Sequence, residues 1–569
     1  MDRRTECIFG EKCYRKNPHH FREYRHKHLY EKYRLNHHDL LLPSDEIVDR
    51  DQFKIYSTIE KEFTSNNKDA VKKVEENKKN TSSSDTPSSS SSSSSSSDNQ
   101  ASSSSSNSRK RSRSPSSSDS DNHQNKKTKT KQSRILQKLE AAKPFNFFLT
   151  MIKDNPSTHK SLNSVFFMEL LHPSLGSLSS SLQINFMVDL EFLMMNYEET
   201  KNDSVPLVIL YGAENPELSS SHLSEVYPSV RAVRVKPKYP YGTHHTKMML
   251  LVYEDGGLRV VVHTANLIPS DWENRSQGVW VSDKCPPGQG DSKTGFKASL
   301  LRYLRYYEVS AVHQFISAVE KVDMSSINTV FTASVPGSHK DGAMCHWGHR
   351  HVARTLRSHV PRHVSSWPVI AQCSSIGSLG PTPDTWFERE LASSLASVKS
   401  SGPVSSQSRA NISLIYPTHQ DVVSSHDGLQ GGGCLPYSRT TASKQPWLQD
   451  HLCRWRAEAS DRTRAMPHIK TYTRLSPDHS NNIPFFILTS ANMSKAAWGS
   501  VNQAGNSCLI MSYEAGVIWL PSMVTGHEMF ETVEFRERRP GSELFPLHYD
   551  LPLSRYQDND KPWLIDALR

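Results

Sequence analysis

Long apolar runs are missing from this sequence, and so is a hydrophobic N-terminal segment. No stretch approaches the eighteen or so consecutive apolar residues of a membrane span, and the opening MDRRTECIFG lacks the apolar core of a secretory signal. A membrane partner and a secreted chain are therefore not expected. Cysteine is scarce, eight in 569 residues, too few for a disulfide scaffold, and a reducing compartment follows. Hydrophobic residues make up 36% of the chain and aromatics 9%, with a mean hydropathy of -0.61. That composition points to a soluble chain with a substantial disordered share, and the length to two to four domains. Bulk charge is missing from most of it too. Residues 1–140 hold 28 basic and 20 acidic side chains, which leaves 40 and 39 in the rest of the chain. The net +9 is thus a property of the tail, and any nucleic-acid site in the body must arise from local clustering.

Composition divides the chain. Residues 1–30 are dense in Cys, His and aromatics, 31–80 form a charged linker, and 81–138 are a serine-rich basic segment expected to be disordered. That segment carries two basic clusters, Arg109-Lys110-Arg111-Ser112-Arg113 and Lys126-Lys127-Thr128-Lys129, which read as a nuclear localisation signal or a non-specific nucleic-acid tether. From residue 139 the pattern turns globular and repeats itself, giving one half at 139–330 and a second at 331–569. In the first, GTHHTKMMLLVY leads to LRVVVHTANL and then Trp272; in the second, MPHIKTY leads to PFFILTSANM and then Trp498. Each copy reads His-x-Lys, then a hydrophobic strand ending in (Thr/Ser)-Ala-Asn, then Trp six residues on. Two copies predict two similar α/β halves. Segment 296–322 reads as an amphipathic helix or helix pair.

On a strand, residues i and i+2 share a face, so His245 points with Lys247 and His468 with Lys470. Two halves packed about a pseudo-two-fold axis would pool two imidazoles, two ammoniums, and the carboxamides of Asn266 and Asn492. Such a set suits a tetrahedral anion: Lys and Asn donate to phosphate oxygens, one His attacks phosphorus, and the other protonates the leaving oxygen. It requires neither a carboxylate nor a metal.

GTHHTKMMLL, HTANLI followed two residues on by Asp271-Trp272, SSIGSLG, MPHIKTY and LTSANMSKAAWG resemble the tyrosyl-DNA phosphodiesterase branch of the phospholipase D superfamily, over roughly residues 140–565. Lipid phospholipases of that superfamily carry His-x-Lys-x4-Asp, but Val252 and Leu475 occupy the Asp positions here. The resemblance implies an α/β fold of two α-β-α halves with mixed sheets. It also implies a metal-independent hydrolase of DNA repair that removes topoisomerase I-derived peptide from DNA 3′ ends, single- or double-stranded, acting as a nuclear monomer. By the same resemblance, His245 is the nucleophile that forms a phosphohistidine, and His468 is the acid and then the base. Lys247, Lys470, Asn266 and Asn492 stabilise the phosphoryl charge, and Gln277 orients the second-half His. Tyr241 lies against DNA, and Ser374 and Ser375 contact its backbone. The family also has a supporting Glu, for which Glu543 is the nearest candidate at an ill-fitting spacing. Family members usually continue beyond KPWLIDALR with a further Trp-containing segment. Around 340–355 there is extra sequence with Cys345, His346, His349 and His351, which lacks regular Cys/His pairing and is expected to be an exposed loop.

At the N-terminus, Cys7, Cys13, His20 and His26 follow C-x5-C-x6-H-x5-H, a closed donor set for structural zinc. His19 and His28 are alternative ligands, but the spacing favours the first set. The gap between the pairs is too short for a DNA-reading ββα finger. CIFGEKCYRKNPHHFREYRH resembles the poly(ADP-ribose)-binding zinc finger, with Lys27 where that family has Pro. The resemblance implies that Phe9, Tyr14 and Arg15 contact the polymer. The competing readings are a nuclease or phosphotransferase on the same fold, and an inert poly(ADP-ribose)-binding adaptor.

Overall fold

Met248–Tyr253 and Leu258–His263 are apolar at almost every position, the pattern of strands covered on both faces. The computed structural model of the chain bears this out: Met248, Leu250, Val260 and Val262 point into a central core, while Met249, Leu251 and Val261 point into an outer one. The structure describes residues 133–399, 411–478 and 480–568, together with the backbone of two short strands, Thr5–Glu6 and Tyr24–Arg25.

The first sheet has eight strands: β1 (Phe147–Thr150), β2 (Ser164–Val165), β3 (Leu178–Asn185), β4 (Leu207–Tyr211), β5 (Val230–Arg234), β6 (Met248–Tyr253), β7 (Leu258–His263) and β8 (Gly278–Val281). Their order is β2-β1-β8-β7-β6-β3-β4-β5. The second has seven: β9 (Val330–Ser334), β10 (Val369–Gln372), β11 (Ile412–Ile415), β12 (Leu452–Cys453), β13 (Thr471–Arg474), β14 (Phe486–Thr489) and β15 (Glu514–Trp519), in the order β9-β15-β14-β13-β10-β11-β12. The six strands β8-β7-β6-β3-β4-β5 match β15-β14-β13-β10-β11-β12 one for one. In each set, three antiparallel pairings are followed by two parallel ones. The duplication read from the motifs is therefore a duplication of whole sheets. One continuous core spans both halves: Phe147 of the first sheet packs on Phe486 and Trp519 of the second, and Trp519 Nε1 donates to the Phe145 carbonyl at 2.8 Å.

Helices Phe296–Arg305 and His313–Glu320 form the expected amphipathic pair, with Phe296, Leu300, Leu304 and Phe315 buried. Two expectations are corrected. Within the segment taken as disordered to residue 138, helix Arg134–Ala142 has already begun. Ile135, Leu139 and Ala142, spaced four and three apart, enter the outer core, and buried Lys138 pairs with Glu169 at 2.6 Å. Around 340–355 there is no exposed loop but a 3-10 turn, Asp341–His346, and helix Gly348–His359. His349 and His351 lie with Val352, Ala353 and Leu356 on its buried face.

At the N-terminus the two short strands pair in parallel, Glu6 opposite Arg25. The finger positions Cys7, Phe9, Cys13, Tyr14, Arg15, His20 and His26, the linker 31–80 and residues 81–132 lie outside the described residues. Among those described, no helix is long and apolar enough to cross a membrane.

Candidate active site

The two His-x-Lys segments do not lie on strands, as the sequence suggests, but on the extended stretches that lead into β6 and β13. Alternation survives there. His245 and Lys247 turn one way, while His244 and Thr246 turn back onto a hydroxyl network: His244 Nε2 meets the Tyr307 hydroxyl at 2.9 Å, and that hydroxyl lies 2.6 Å from Tyr303, which also binds Thr246. Each lysine folds back to donate to the carbonyl of the histidine two residues earlier, Lys247 to His245 at 2.9 Å and Lys470 to His468. Both ammoniums are fully buried. Gly242 begins this stretch where the halves meet, and a Cβ there would stand 2.3 Å from the Met511 carbonyl.

Each histidine is held by the opposite half. The His245 amide donates to the Tyr513 carbonyl at 2.9 Å, and His245 Nδ1 lies 3.0 Å from Glu514 Oε2. In mirror fashion, the His468 amide donates to the Ser276 carbonyl at 3.0 Å, and Gln277 Nε2 stands 3.1 Å from His468 Nδ1. The hydroxyl of each (Thr/Ser)-Ala-Asn motif holds the orienting residue: Thr264 donates to Gln277 Oε1 at 2.8 Å, and Ser490 donates to Glu514 Oε2. The asparagines present their amide nitrogens because their oxygens are engaged. Asn492 Oδ1 accepts from the amides of Ser374 and Ser375, both at 3.0 Å, and from the Ser374 hydroxyl at 3.1 Å; Asn266 Oδ1 accepts from the Met187 amide at 3.4 Å.

Asp271 completes the second imidazole. Its Oδ2 lies 3.2 Å from His468 Nδ1 and accepts from the Asn266 amide at 2.6 Å. The reading that the donor set needs no carboxylate is thereby corrected: a buried imidazole needs an acceptor for its Nδ1 proton, and Glu514 and Asp271 supply one apiece. Glu543 is not the supporting Glu. It is exposed and meets His527 at 3.3 Å.

Burial and the neighbouring ammoniums keep the imidazoles neutral. Burial first, then Lys470, pushes His468 down to about 3, against Asp271; burial and Lys247 also lower His245. Burial lowers Lys247 to about 7, helped by Lys470, and lowers Lys470 to about 8. Burial would raise the Asp271 carboxyl, but His468 and the Asn266 amide outweigh it and hold it below the usual range. The cleft thus gathers cationic donors at the edge of ionisation around two neutral nucleophilic nitrogens. No hydrogen bond among the described residues engages either Nε2.

The structure brings together His245, Lys247, Asn266, Gln277, His468, Lys470 and Asn492. Ser374 is buried and committed to Asn492, and half-buried Ser375 donates its hydroxyl to the Pro436 carbonyl at 3.3 Å. Tyr241 is 92% exposed at a left-handed φ of 64°, four residues before His245. Sequence reasoning missed Glu514, and it included Asp271 in a motif without giving it a role. Among the described residues, no cluster of three or more His, Cys, Asp or Glu is arranged for a metal. In the finger, the paired strands end at Glu6 and Arg25, one residue before Cys7 and His26 in sequence, and the four expected zinc donors lie outside the described residues.

Comparison with known proteins agrees with this geometry. The family described as tyrosyl-DNA phosphodiesterase matches residues 146–557, and the PBZ domain matches residues 4–29. The chain is 41% identical to tyrosyl-DNA phosphodiesterase 1 of Drosophila melanogaster, over 99% of this chain and all of that one. It is 34% identical to a probable tyrosyl-DNA phosphodiesterase of Caenorhabditis elegans, over 68% of this chain and 82% of that one. The crystal structure of the yeast tyrosyl-DNA phosphodiesterase superposes with a TM-score of 0.56 at 18% identity, covering 74% of this chain and 99% of that one.

Proposed function

This chain belongs to the tyrosyl-DNA phosphodiesterase family of DNA-repair hydrolases, and from that premise we propose how its paired site works and what it acts on. The substrate is DNA whose 3′ phosphate is esterified to a tyrosine, as in a topoisomerase I-derived peptide adduct, or to another 3′ group. His245 Nε2 attacks phosphorus while Glu514 takes up the charge growing at Nδ1. The phosphorus–oxygen bond to tyrosine breaks, and His468 gives its Nε2 proton to the leaving phenolate. His468, now neutral, takes a proton from water, whose oxygen displaces His245 from phosphorus and leaves a 3′ phosphate. Lys247, Lys470, Asn266 and Asn492 donate to the phosphoryl oxygens, whose charge is greatest in the transition state. Asp271 and Gln277 position His468. Tyr241, Ser374 and Ser375 border the path of the strand.

The observation that carries this reading is the crossed support of the two imidazoles, each held at Nδ1 by the other half with Nε2 left free. A phosphodiester arriving in the cleft favours the imidazolium form of His468, so the acid is charged by the substrate it acts on.

The finger takes a separate role. Cys7, Cys13, His20 and His26 would hold a structural zinc that staples a segment too short to fold otherwise, and Phe9, Tyr14 and Arg15 would meet poly(ADP-ribose). The chain then works as a nuclear monomer, recruited to breaks by the polymer and trimming 3′ ends as an exonuclease. One experiment on the full chain tests all of this. With EDTA present, a 3′-phosphotyrosyl oligonucleotide should lose tyrosine; His468→Asn should accumulate a covalent DNA adduct, and His245→Ala should form none. Cys13→Ala should abolish polymer binding and spare turnover. An adduct on His245→Ala would reverse the two histidines, and an inert wild-type chain would sink the reading.

A further inference from the structure

Outside the cleft, one surface departs from how this protein treats its arginines. Most of the others are answered by partners. Arg275 pairs with Asp427, Arg305 with Glu320, Arg454 with Asp560 and Arg456 with Asp421, while Arg474 and Arg538 donate to ends of chain segments. On helix Gly348–His359 the pattern differs. Its buried residues are His349, His351, Val352, Ala353 and Leu356, and one flank carries half-buried Arg350 and Arg357 with exposed Arg354 between them, at spacings of four and three. Helix Phe296–Arg305 packs beside it on β9 and adds Arg302, and the 3-10 turn ahead of it adds His346. None of these four guanidiniums makes a side-chain hydrogen bond or ion pair among the described residues, and the Arg350 Nε is buried without a partner. They feel one another instead. After burial, Arg354 is what most lowers Arg302, Arg350 is what most lowers Arg357, and Arg302 and Arg354 both lower His346. A cluster of like charges with no acid opposite is stabilised by a polyanion and by little else.

The location fits the same ligand as the cleft. Gly348, at a left-handed φ of 55°, sets the first turn of the helix against the Trp498 carbonyl, where a Cβ would stand 2.1 Å away. Trp498 closes the motif that begins at Asn492, so the helix starts directly behind the second half of the site. From Arg350 to Arg357 the stripe rises roughly 10 Å, about the axial length of three phosphates on one strand.

We propose that Arg302, Arg350, Arg354 and Arg357 form a second contact surface for the sugar-phosphate backbone of DNA, engaging the duplex that flanks the 3′ end held in the cleft. The inference rests on the proposed activity for the identity of the polyanion. In a body of almost balanced charge, this cluster supplies the local positive field that the composition does not.

Salt dependence tests it, in the full chain carrying Arg302→Gln, Arg354→Gln and Arg357→Gln. Each phosphate contact contributes about 0.9 to the slope of log affinity against log salt, so with three contacts removed, binding of a 40-base-pair duplex should lose about 2.7 from that slope and weaken roughly tenfold or more near physiological salt. Turnover of a six-nucleotide single-stranded 3′-phosphotyrosyl substrate should stay within about twofold, because it carries no flanking duplex for the stripe to engage. Lysine at the same three positions should restore the slope, since a backbone phosphate accepts a point charge. An unchanged slope, an equal loss on the short substrate, or no recovery with lysine would each overturn the surface. So would loss of poly(ADP-ribose) or acidic-peptide binding with duplex binding intact. If the wild-type chain failed on the six-nucleotide substrate, the proposed activity would fall, while duplex binding would still report on the stripe.

Discussion

Glu514 and Asp271 stand one hydrogen bond behind the two imidazoles, and their positions explain why motif reading stopped short of them. Gln277 follows Asn266 by eleven residues, whereas Glu514 follows Asn492 by twenty-two, because a hairpin of Ser500–Val501 and Ser507–Ile510 is inserted between them. Repeat spacing therefore points past the right residue. The role of Asp271 is hidden for another reason: its counterpart five residues after Asn492 is Ala497, so no repeat marks it. The histidines, lysines and asparagines were legible because their own chemistry is written twice. On the proposed roles Asp271 serves the acid and not the nucleophile, so its loss should depend on the leaving group. Asp271→Asn should slow release of tyrosine by about 10²-fold, the scale of one well-placed catalytic hydrogen bond. Release of 4-nitrophenolate, which needs little protonation, should slow far less. Equal losses on both substrates in single-turnover assays would show a merely structural carboxylate.

Among elements, helix Gly348–His359 shows how an expectation drawn from local composition fails. Read as residues, Cys345, His346, His349 and His351 suggest a polar loop; read at helical spacing, they interleave with Val352, Ala353 and Leu356, and burial decides. His349 is accommodated by the Ser394 hydroxyl at 2.8 Å and by Glu390 at 3.6 Å, contacts from a distant stretch of chain that local sequence does not reveal. Strands Met248–Tyr253, Leu258–His263 and Phe486–Thr489 were legible by contrast, since each is a short apolar run beside a motif, whereas mixed strands such as Val230–Arg234 and Thr471–Arg474 carry no such signal. The helix also makes a mechanical prediction. Gly348→Ala puts a methyl group into the Trp498 carbonyl at a positive φ, at a cost of at least about 1 kcal/mol from the backbone conformation before the clash is counted. Thermal melting should drop by several degrees, and turnover should fall with it, because the displaced carbonyl ends the short helix Lys495–Trp498 that follows Asn492. A variant that melts like wild type would show that the helix end shifts freely.

At the scale of the whole molecule, buried histidines set the acid limit of stability. Burial lowers His244, His263, His349, His468 and His548 to about 3, and His351 to about 4. All are neutral in the folded chain and gain a proton on unfolding below an ordinary value of about 6.5. Their contribution is therefore whole above that pH and is lost as pH falls toward 4, at up to about 1.4 kcal/mol per pH unit for each. The melting temperature should decline steeply from pH 6.5 to 5, and a flat profile there would contradict the buried neutral imidazoles. Crossed support of the two active histidines has a consequence for the timing of synthesis. A ribosome that has made His245 must still make more than two hundred and sixty residues before it reaches Glu514. Until then the nucleophile has nothing to orient it, and His468 likewise waits for its own half to dock onto Ser276 and Gln277. On the proposed mechanism, competence arrives only when the last central strand, Glu514–Trp519, closes the second sheet.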